Sequence, residues 1–541
     1  MFPKPAFSFF SIIVIIMLAI LACQGQADLI QKTANITQQP LQEAKEGAAQ
    51  EASLILAATA MPMQAALPPA AAPMAMPTLA APNGQPYVDN FFENYGVNPF
   101  IDTEDDHLST FALDVDTGSY TVVRRTISDG NLPDKDAVRV EEFVNYFEQN
   151  YDLPPEGQAF AIHIDGGPAP YTESDRYQML RIGIQGYAVP PEERKDVSLT
   201  FVIDVSGSMD MENRLELVKD ALELLVEQLR TSDSVGIVVY GDTAHVVLES
   251  TNGADKETII QAINALQPEG STNAEAGIQL GYQLATQAFK PTQINRVILC
   301  SDGVANVGNT GAESIWDSVK NKASEGITLT TVGFGMGNYN DVLMEQLADN
   351  GNGFYAYVDT INEAKRLFVQ NLTSTLQVIA MNAKVQVDFN PELVTRYRLV
   401  GFENRAIADQ DFRNDKVDAG EIGAGLSVTA LYEIKLKPEA SGQVATVYLR
   451  WEDPDTHEVT EMSKAFSSQE FTQSFSSASP YLQWDVVVAE FAEIIRESYW
   501  AQNSTLAGVL EEAERISKAL PEDPQVQEFV EMVRKANQVG K

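Results

Sequence analysis

The strongest constraint on the fold is a region, residues 197–375, in which short apolar runs alternate with amphipathic segments. The run Val197–Ile203 is mostly apolar and contains β-branched residues, and leucines recur at helical spacing from Arg214 to Leu229. By the same patterns, further strands are predicted at 235–240, 244–248, 296–300, 327–332 and 353–358. Further helices are predicted at 255–266, 274–288, 312–324 and 341–349. Apolar strands separated by helices predict an α/β fold with a doubly wound, mostly parallel sheet.

Three loops of this predicted sheet carry oxygen-bearing side chains. One follows the first strand, one precedes the helix at 274, and one follows the strand at 296–300. Their candidate metal ligands are Asp204, Ser206, Ser208, Thr272 and Asp302. In open α/β sheets, the loops at the carboxyl ends of the strands meet at one edge, and ligands bind there. Hydroxyl and carboxylate oxygens are hard ligands suited to Mg²⁺ or Mn²⁺, so the sequence predicts a divalent metal site at this edge.

The order of these residues, Asp-x-Ser-x-Ser followed by a threonine and then by an aspartate, resembles the metal-ion-dependent adhesion site of the von Willebrand factor type A (VWA) and integrin I-domain family. The resemblance covers about a third of the chain. It implies that Ser206 and Ser208 coordinate Mg²⁺ (or Mn²⁺ or Ca²⁺) directly, and that Thr272 joins them in the ligand-bound state. It also implies that Asp204 and Asp302 act mainly through bound water and hydrogen bonds. Neutral hydroxyl ligands leave the ion electropositive, so that an acidic side chain of a protein partner fills the open position.

The motifs also allow other interpretations. The metal loop could be a metal-free relic, because a serine after a strand is often a helix cap. Residues 114–117 (Asp-Val-Asp-Thr) resemble the start of a haloacid-dehalogenase phosphatase motif, but the threonine stands one place early. No nucleophile elbow, P-loop or His-Glu-x-x-His motif occurs, so no enzyme is expected. The acidic run 102–106 is interpreted as solvated surface, with calcium binding as the alternative. Met209 and Cys300 are expected to be buried packing residues.

The first residues indicate export and lipid anchoring. Lys4 precedes an apolar stretch, Phe7–Leu21, which ends just before Cys23. This pattern predicts a signal peptide over 1–22 and resembles a bacterial lipoprotein signal, in which Cys23 is acylated. The alternative is an uncleaved N-terminal anchor with an incidental cysteine. The residue after Cys23 is Gln24 rather than an aspartate, which favours the outer membrane in a two-membrane bacterium. Residues 23–90 are rich in Ala and Pro and are predicted to form a flexible tether.

The charge of the chain limits its partners. With 76 acidic and 37 basic residues, the net charge is −39, which repels phosphate backbones and anionic lipid headgroups. Nucleic acid is therefore not an expected partner, and membrane attachment needs the N-terminal lipid. The chain has only two cysteines, Cys23 and Cys300, and its four histidines are scattered singly, which disfavours a zinc site.

The regions on either side of 197–375 show a different pattern. Residues 91–190 resemble the region that precedes the VWA domain in bacterial lipoproteins with a C-terminal domain of unknown function, and a helix is predicted at 139–150. Residues 376–541 are predicted to be β-rich to about 475 and then helical, with helices at 481–499 and at the C-terminus. Alternating strands are predicted at 160–164, 178–184, 383–389, 427–436 and 445–451. We expect them to form one β-sandwich into which the α/β domain is inserted; separate small sheets are the alternative.

These observations predict a cell-envelope lipoprotein that binds a protein partner through a metal-ion-dependent adhesion site. Two other functions remain open at this point. One is an accessory or scaffolding role in an envelope complex, for example with an AAA-type ATPase. The other is a purely structural role with an unused site.

Overall fold

The computed structural model describes residues 90–113, 115–172, 176–303, 312–335, 339–520 and 523–540. The predicted signal peptide, Cys23 and the tether up to residue 89 lie outside the described residues, as does Asp114. Among the described residues, no helix combines the length and the apolar character needed to cross a membrane.

The described chain begins with four strands and two helices. The strands are β1 (Ile101–Asp102), β2 (Leu108–Ala112), β3 (Phe160–Pro168) and β4 (Tyr177–Gly186). The helices are α1 (Gly118–Ser128) and α2 (Val140–Val144). The helix predicted over 139–150 is therefore shorter than expected. It ends at Val144 because Tyr146 and Phe147 pack into an aromatic core with Trp484 and Phe529 rather than continuing the helix.

The central region then forms an α/β domain. Its strands are β5 (Val197–Asp204), β6 (Ser234–Tyr240), β7 (Ala244–Asn252), β8 (Ile294–Ser301), β9 (Ile327–Phe334) and β10 (Tyr355–Val358). Its helices are α3 (Arg214–Glu227), α4 (Lys256–Asn264), α5 (Ala274–Gln287), α6 (Ala312–Ser324), α7 (Asp341–Asn350), α8 (Ile361–Lys365) and α9 (Leu372–Leu376), and a π-helical turn, Arg366–Gln370, lies between the last two.

The six strands of this domain form one sheet in the order β10-β9-β8-β5-β6-β7. All neighbours are parallel except β7, which runs antiparallel to β6 at the edge. Every residue of β5 is buried, as expected for a strand covered by helices on both faces. One apolar core lies on the side of α3, α4 and α8, and a second lies on the side of α5, α6 and α7.

Strands on both sides of the α/β domain form a β-sandwich. The later strands are β11 (Val378–Phe389), β12 (Val394–Val400), β13 (Gly420–Gly423), β14 (Ser427–Leu436), β15 (Gln443–Glu452) and β16 (Val459–Ser467). One sheet has the order β1-β12-β14-β4-β3 and the other β13-β11-β15-β16, with β2 paired to β11. Both sheets contribute to one core, so the α/β domain is inserted into a single sandwich. The alternative of separate small sheets is wrong.

The chain ends in three helices, α10 (Pro480–Ile495), α11 (Leu506–Ile516) and α12 (Pro524–Val539). They pack with α1 and α2 around Trp484, Phe491 and Phe529. The helix predicted at 481–499 stops at Ile495, and Glu497 adopts a left-handed backbone conformation that an α-helix does not accept. The predicted fold class is confirmed: a doubly wound, mostly parallel α/β domain, inserted in a β-sandwich and followed by a helical segment.

Candidate functional site

The candidate metal ligands lie at the carboxyl edge of the α/β sheet. Strands β5 and β8 are parallel neighbours in which Ile203 pairs with Cys300, so the residues that follow them emerge side by side. Asp204 is the last residue of β5, and Asp302 directly follows β8. After Asp204 the chain turns into a 3-10 helix, Gly207–Asn213, which leads into α3. The topology therefore brings the first and last elements of the motif together.

Hydrogen bonds connect three of the predicted ligands, and the fourth, Asp302, interacts with one of them. One oxygen of Asp204 accepts a bond from the backbone N–H of Ser206 at 2.8 Å, and the other accepts one from the Ser301 hydroxyl at 3.0 Å. The hydroxyl oxygens of Ser206 and Ser208 are 3.1 Å apart, and the Ser208 hydroxyl interacts with the Asp302 carboxylate. We call Asp204, Ser206, Ser208 and Asp302 the oxygen cluster. Two carboxylates and two hydroxyls thus converge on one point of the sheet edge.

The loop that carries Thr272 lies against this cluster. Its Gly270 carbonyl accepts a hydrogen bond from the N–H of Gly207 at 3.0 Å, and the N–H of Asn273 donates to the Gly241 carbonyl at 3.1 Å. Thr272 itself is half-buried, and its hydroxyl makes no hydrogen bond within the described part of the chain. The structure therefore places Thr272 beside the oxygen cluster through its backbone, without linking its side chain to the other four residues.

The Thr272 loop is fixed by an aspartate that the sequence reasoning missed. Asp242 accepts hydrogen bonds from the N–H and from the hydroxyl of Ser271, both at 2.7 Å, which lowers the pKa of the Asp242 carboxyl. Gly270 has a φ of +51°, and a β-carbon there would collide with the Asp242 carboxylate. A glycine is therefore required for this close approach.

A second missed residue is Arg214, the first residue of α3. Its Nη1 atom donates to Asp302 Oδ2 at 2.6 Å, and the two side chains are 4% and 7% exposed. Such short, charge-assisted bonds between buried groups hold both partners in place. The guanidinium therefore balances the charge of Asp302 and leaves Asp204 without an ionic partner. A basic residue at the start of a helix gave no signal in the sequence, because its partner lies 88 positions away.

Burial shapes the electrostatics of the cluster. Burial, and to a lesser degree the nearby Asp302 carboxylate, raises the pKa of Asp204 to about 6 despite the hydrogen bonds from Ser206 and Ser301. Burial also raises the pKa of Asp302, although Ser208 and Arg214 oppose the shift. Neighbouring Tyr240 is completely buried, and desolvation followed by the Asp204 charge raises its pKa well above the usual value. Two negative charges are thus held close together out of water, which a nearby cation would relieve.

This donor set fits a divalent cation of the Mg²⁺ type, which takes oxygen ligands and keeps several waters. Across the described residues, no group of three or more His, Cys, Asp or Glu side chains is placed to hold a metal ion. The oxygen cluster has two carboxylates and completes its donor set with hydroxyls, so any metal bound there would depend on the serines. The assignment of these residues as metal ligands stays a prediction.

Other residues singled out in the sequence have structural roles. Met209 and Cys300 are fully buried, which confirms that they are packing residues. Asp116, in the phosphatase-like motif, is buried, accepts a hydrogen bond from the N–H of Tyr355 at 2.9 Å and faces Arg405 at 3.5 Å. This contact joins the N-terminal region to β10 and the sandwich. The acidic run 102–106 begins at the last residue of β1 and continues through the turn that leads to β2.

Three family models match the chain. The model described as "von Willebrand factor type A domain" matches residues 198–371, which include the oxygen cluster. A model described as "von Willebrand factor" matches 87–181, and one described as "Uncharacterized protein YfbK, C-terminal" matches 374–539. The fold and these matches define a VWA-domain protein. Proteins with VWA domains mediate protein interactions, often through a metal-ion-dependent adhesion site.

The relatives place the chain more narrowly. The protein YfbK of Escherichia coli (strain K12) is 36% identical over 478 residues, which cover 83% of this chain and 81% of YfbK. The chain therefore belongs to the family of YfbK, a bacterial protein that contains a VWA domain. Inter-alpha-trypsin inhibitor heavy chain H3 of Homo sapiens is 26% identical over 277 residues, which cover 47% of this chain and 29% of that protein.

Among solved structures, a von Willebrand factor type A protein from Catenulispora acidiphila is 15% identical to this chain. The match covers 72% of this chain and 91% of that one, with a TM-score of 0.43.

Proposed function

We propose that this protein captures an acidic side chain of a protein partner through a divalent cation, Mg²⁺ or in its place Mn²⁺ or Ca²⁺. The observation that carries the proposal is the convergence of Asp204, Ser206, Ser208 and Asp302 at the carboxyl edge of the sheet. In this arrangement the two serines hold the cation, and the two aspartates orient the serines and the coordinated waters. Thr272 is the fifth proposed ligand and joins when the partner binds.

The charge of the site favours an anionic ligand once a cation is bound. Asp204 and Asp302 bring two negative charges, and Arg214 brings one positive charge. A divalent cation therefore leaves the site with a net charge of +1. Because an uncompensated buried charge is costly, a carboxylate supplied by the partner stabilises the loaded site. The cation supplies an open, electropositive coordination position, while the protein supplies its fixed surroundings.

Binding rather than catalysis is proposed for chemical reasons. The polar side chains that touch the oxygen cluster include Ser301 and Arg214, and both are engaged by the aspartates. A guanidinium stays protonated at neutral pH and does not act as a base. Ser301 and Arg214 therefore hold the two aspartates toward a cation, and neither of these neighbours removes or transfers a proton.

The proposal is tested by affinity capture with the immobilised full-length chain. Envelope proteins that the wild-type chain retains in Mg²⁺ should be released by EDTA. The Asp204→Ala chain, which lacks one carboxylate of the oxygen cluster, should not retain them. Asp220→Ala, an exposed aspartate on α3 of the same domain, is the matched control and should retain them as the wild type does. Retention that persists in EDTA, or in Asp204→Ala with a preserved circular dichroism spectrum, would refute the proposal.

We also propose that the protein is held in the bacterial cell envelope by an acyl group on Cys23. The sequence pattern of the first residues supports this anchoring, and the net charge of −39 disfavours attachment through a basic surface. The test is metabolic labelling with a fatty acid and membrane fractionation of the wild type and of Cys23→Ser. Label and membrane association should both be lost in the variant. A Cys23→Ser protein that stays in the membrane fraction contradicts lipid anchoring.

A further inference from the structure

A second site lies at the opposite edge of the α/β sheet. Here a cavity of about 80 Å³ separates the start of β8 and β10 from the sandwich strands β11, β13 and β14. Its walls are largely apolar, with Phe354, Leu367 and Leu426 among them. Three charged side chains also line it: Arg296, Glu421 and Arg366, of which Arg366 is paired with Glu363 at 2.6 Å. We call it the Arg296 cavity. It is distinct from the oxygen cluster, because Arg296 lies near the amino end of β8 and Asp302 follows the carboxyl end.

Arg296 is an exception among the buried arginines. The described residues include eight buried arginines, and the other seven each pair with at least one carboxylate. Arg296 is 2% exposed and makes no ion pair with any described residue. Its Nε donates to the Thr328 hydroxyl at 3.1 Å and its Nη1 donates to the Thr375 carbonyl, both neutral acceptors. Its Nη2 makes no hydrogen bond to the described residues, so no carboxylate of the described chain is in direct contact with this buried guanidinium.

Glu421 presents the complementary group. It lies in the short strand β13, and its side chain makes neither a hydrogen bond nor an ion pair with a described residue. Burial, and then the charges of Asp418 and Asp349, raises the pKa of Glu421 well above the usual value, while burial lowers that of Arg296 to about 10. A partly buried acid and a buried base thus line one cavity, where their charges act on each other without a direct hydrogen bond or ion pair. A small molecule with one anionic and one cationic group would compensate the charge of Arg296 and stabilise the ionised form of Glu421.

The size of the cavity limits that molecule. About 10–15 Å³ of such space holds one water molecule, so the Arg296 cavity takes roughly five to eight water-sized groups. Alanine and valine, with few non-hydrogen atoms and one small apolar side chain, match this size and the apolar walls. We propose that the Arg296 cavity binds a small α-amino acid as its zwitterion, with the carboxylate on Arg296 and the ammonium group on Glu421. The ligand brings no net charge into the cavity, and its ammonium group favours the ionised form of Glu421.

The test is isothermal titration calorimetry of the full-length chain with L-alanine and L-valine. Propionate and ethylamine serve as probes that each lack one of the two charged groups. An amino acid should bind one to one, and each single-charge probe should bind at least about tenfold more weakly, as expected for the loss of one buried charge-assisted contact. L-phenylalanine should not bind, because it exceeds the cavity. The metal chelator EDTA should leave all of these results unchanged.

Two substitutions test which residue binds the carboxylate of the ligand and which binds its ammonium group. Arg296→Met should abolish amino-acid binding, and the isosteric Glu421→Gln should weaken it at least about tenfold while leaving the weak binding of propionate unchanged. Arg534→Gln, which removes an exposed arginine on α12, should bind as the wild type does. If Arg296→Met does not fold, Glu421→Gln and the probe series still decide the question.

Several results would overturn the inference. They are the absence of binding by either amino acid at millimolar concentration, equal affinities for propionate and alanine, and unchanged affinity in a folded Arg296→Met or in Glu421→Gln. A cavity that holds only water gives the first of these results.

Discussion

Arg214 should limit the affinity of the metal site while favouring capture of an anionic partner. The perturbation is Arg214→Met, which removes the positive charge but keeps most of the aliphatic stem. The Nη1–Oδ2 distance to Asp302 is 2.6 Å, and both side chains are more than nine-tenths buried. Removing one partner of a buried ion pair typically costs about 3–5 kcal/mol, because the other charge remains uncompensated. Without metal, Arg214→Met should therefore be destabilised by about this amount.

A bound divalent cation reduces this loss of stability, because it replaces the guanidinium as the counter-charge of Asp302. Part of the lost stability then returns on metal binding, and the repulsion between Arg214 and the cation disappears. We expect the affinity for Mn²⁺ to rise at least about tenfold, which corresponds to about 1.4 kcal/mol. The net charge of the loaded site falls from +1 to zero, so acetate, used as a stand-in for the partner's carboxylate, should bind more weakly.

The assay is calorimetric titration of Mn²⁺ into the metal-free full-length chain, followed by titration of acetate into the loaded protein. Arg214→Lys, which keeps the positive charge, is the matched control and should stay close to the wild type in both titrations. Unchanged or weaker Mn²⁺ binding by Arg214→Met would refute the reasoning. So would equal shifts in Arg214→Met and Arg214→Lys, because geometry rather than charge would then be responsible.

Two further predictions concern the metal loop and the helical segment. Gly270→Ala places a β-carbon against the Asp242 carboxylate and should weaken Mn²⁺ binding at least about tenfold, whereas Gly130→Ala, also at positive φ but with open space around it, should not change it in the same titration. Burial raises the pKa of Glu490 in α10 to about 7, so the folded chain holds this proton more tightly than the unfolded chain, and stability is lost as pH rises from about 4 toward 7. The gain in unfolding free energy from Glu490→Gln should thus be about 2–3 kcal/mol larger near pH 8 than near pH 5. Urea denaturation at the two pH values measures the free energy of unfolding, and Glu511→Gln, at an exposed position, is the control. A gain that is the same at both pH values would show that the pKa of Glu490 is not raised in the folded chain.

The sequence predicted those parts of the fold that leave a local pattern. The β5 strand and the helix that begins at Arg214 could be located because burial on one or both faces repeats at a fixed spacing. The motif at Asp204 could be placed at the sheet edge because the carboxyl ends of parallel strands share that edge. The insertion of the α/β domain into a sandwich followed from the alternating strands on either side.

The contacts that could not be predicted depend on residues far apart in the chain. Ser301 and Arg214 hold Asp204 and Asp302 only because folding brings separate elements together, and neither contact has a spacing that periodicity detects. The short strand β2 pairs with β11 more than 250 positions later, and β2 itself has only five residues. The predicted helix at 139–150 ended early because tertiary packing of its aromatic residues outweighed helical propensity.

The most direct test of the central claim is the number of Mn²⁺ ions bound by the EDTA-stripped full-length chain, measured by isothermal titration calorimetry in the wild type and in Asp204→Ala. The oxygen cluster predicts one ion per wild-type chain and no saturable binding in the variant, with circular dichroism showing that both are folded. Equal binding by Asp204→Ala, or no binding by the wild type, would contradict a metal site at the carboxyl edge of the sheet.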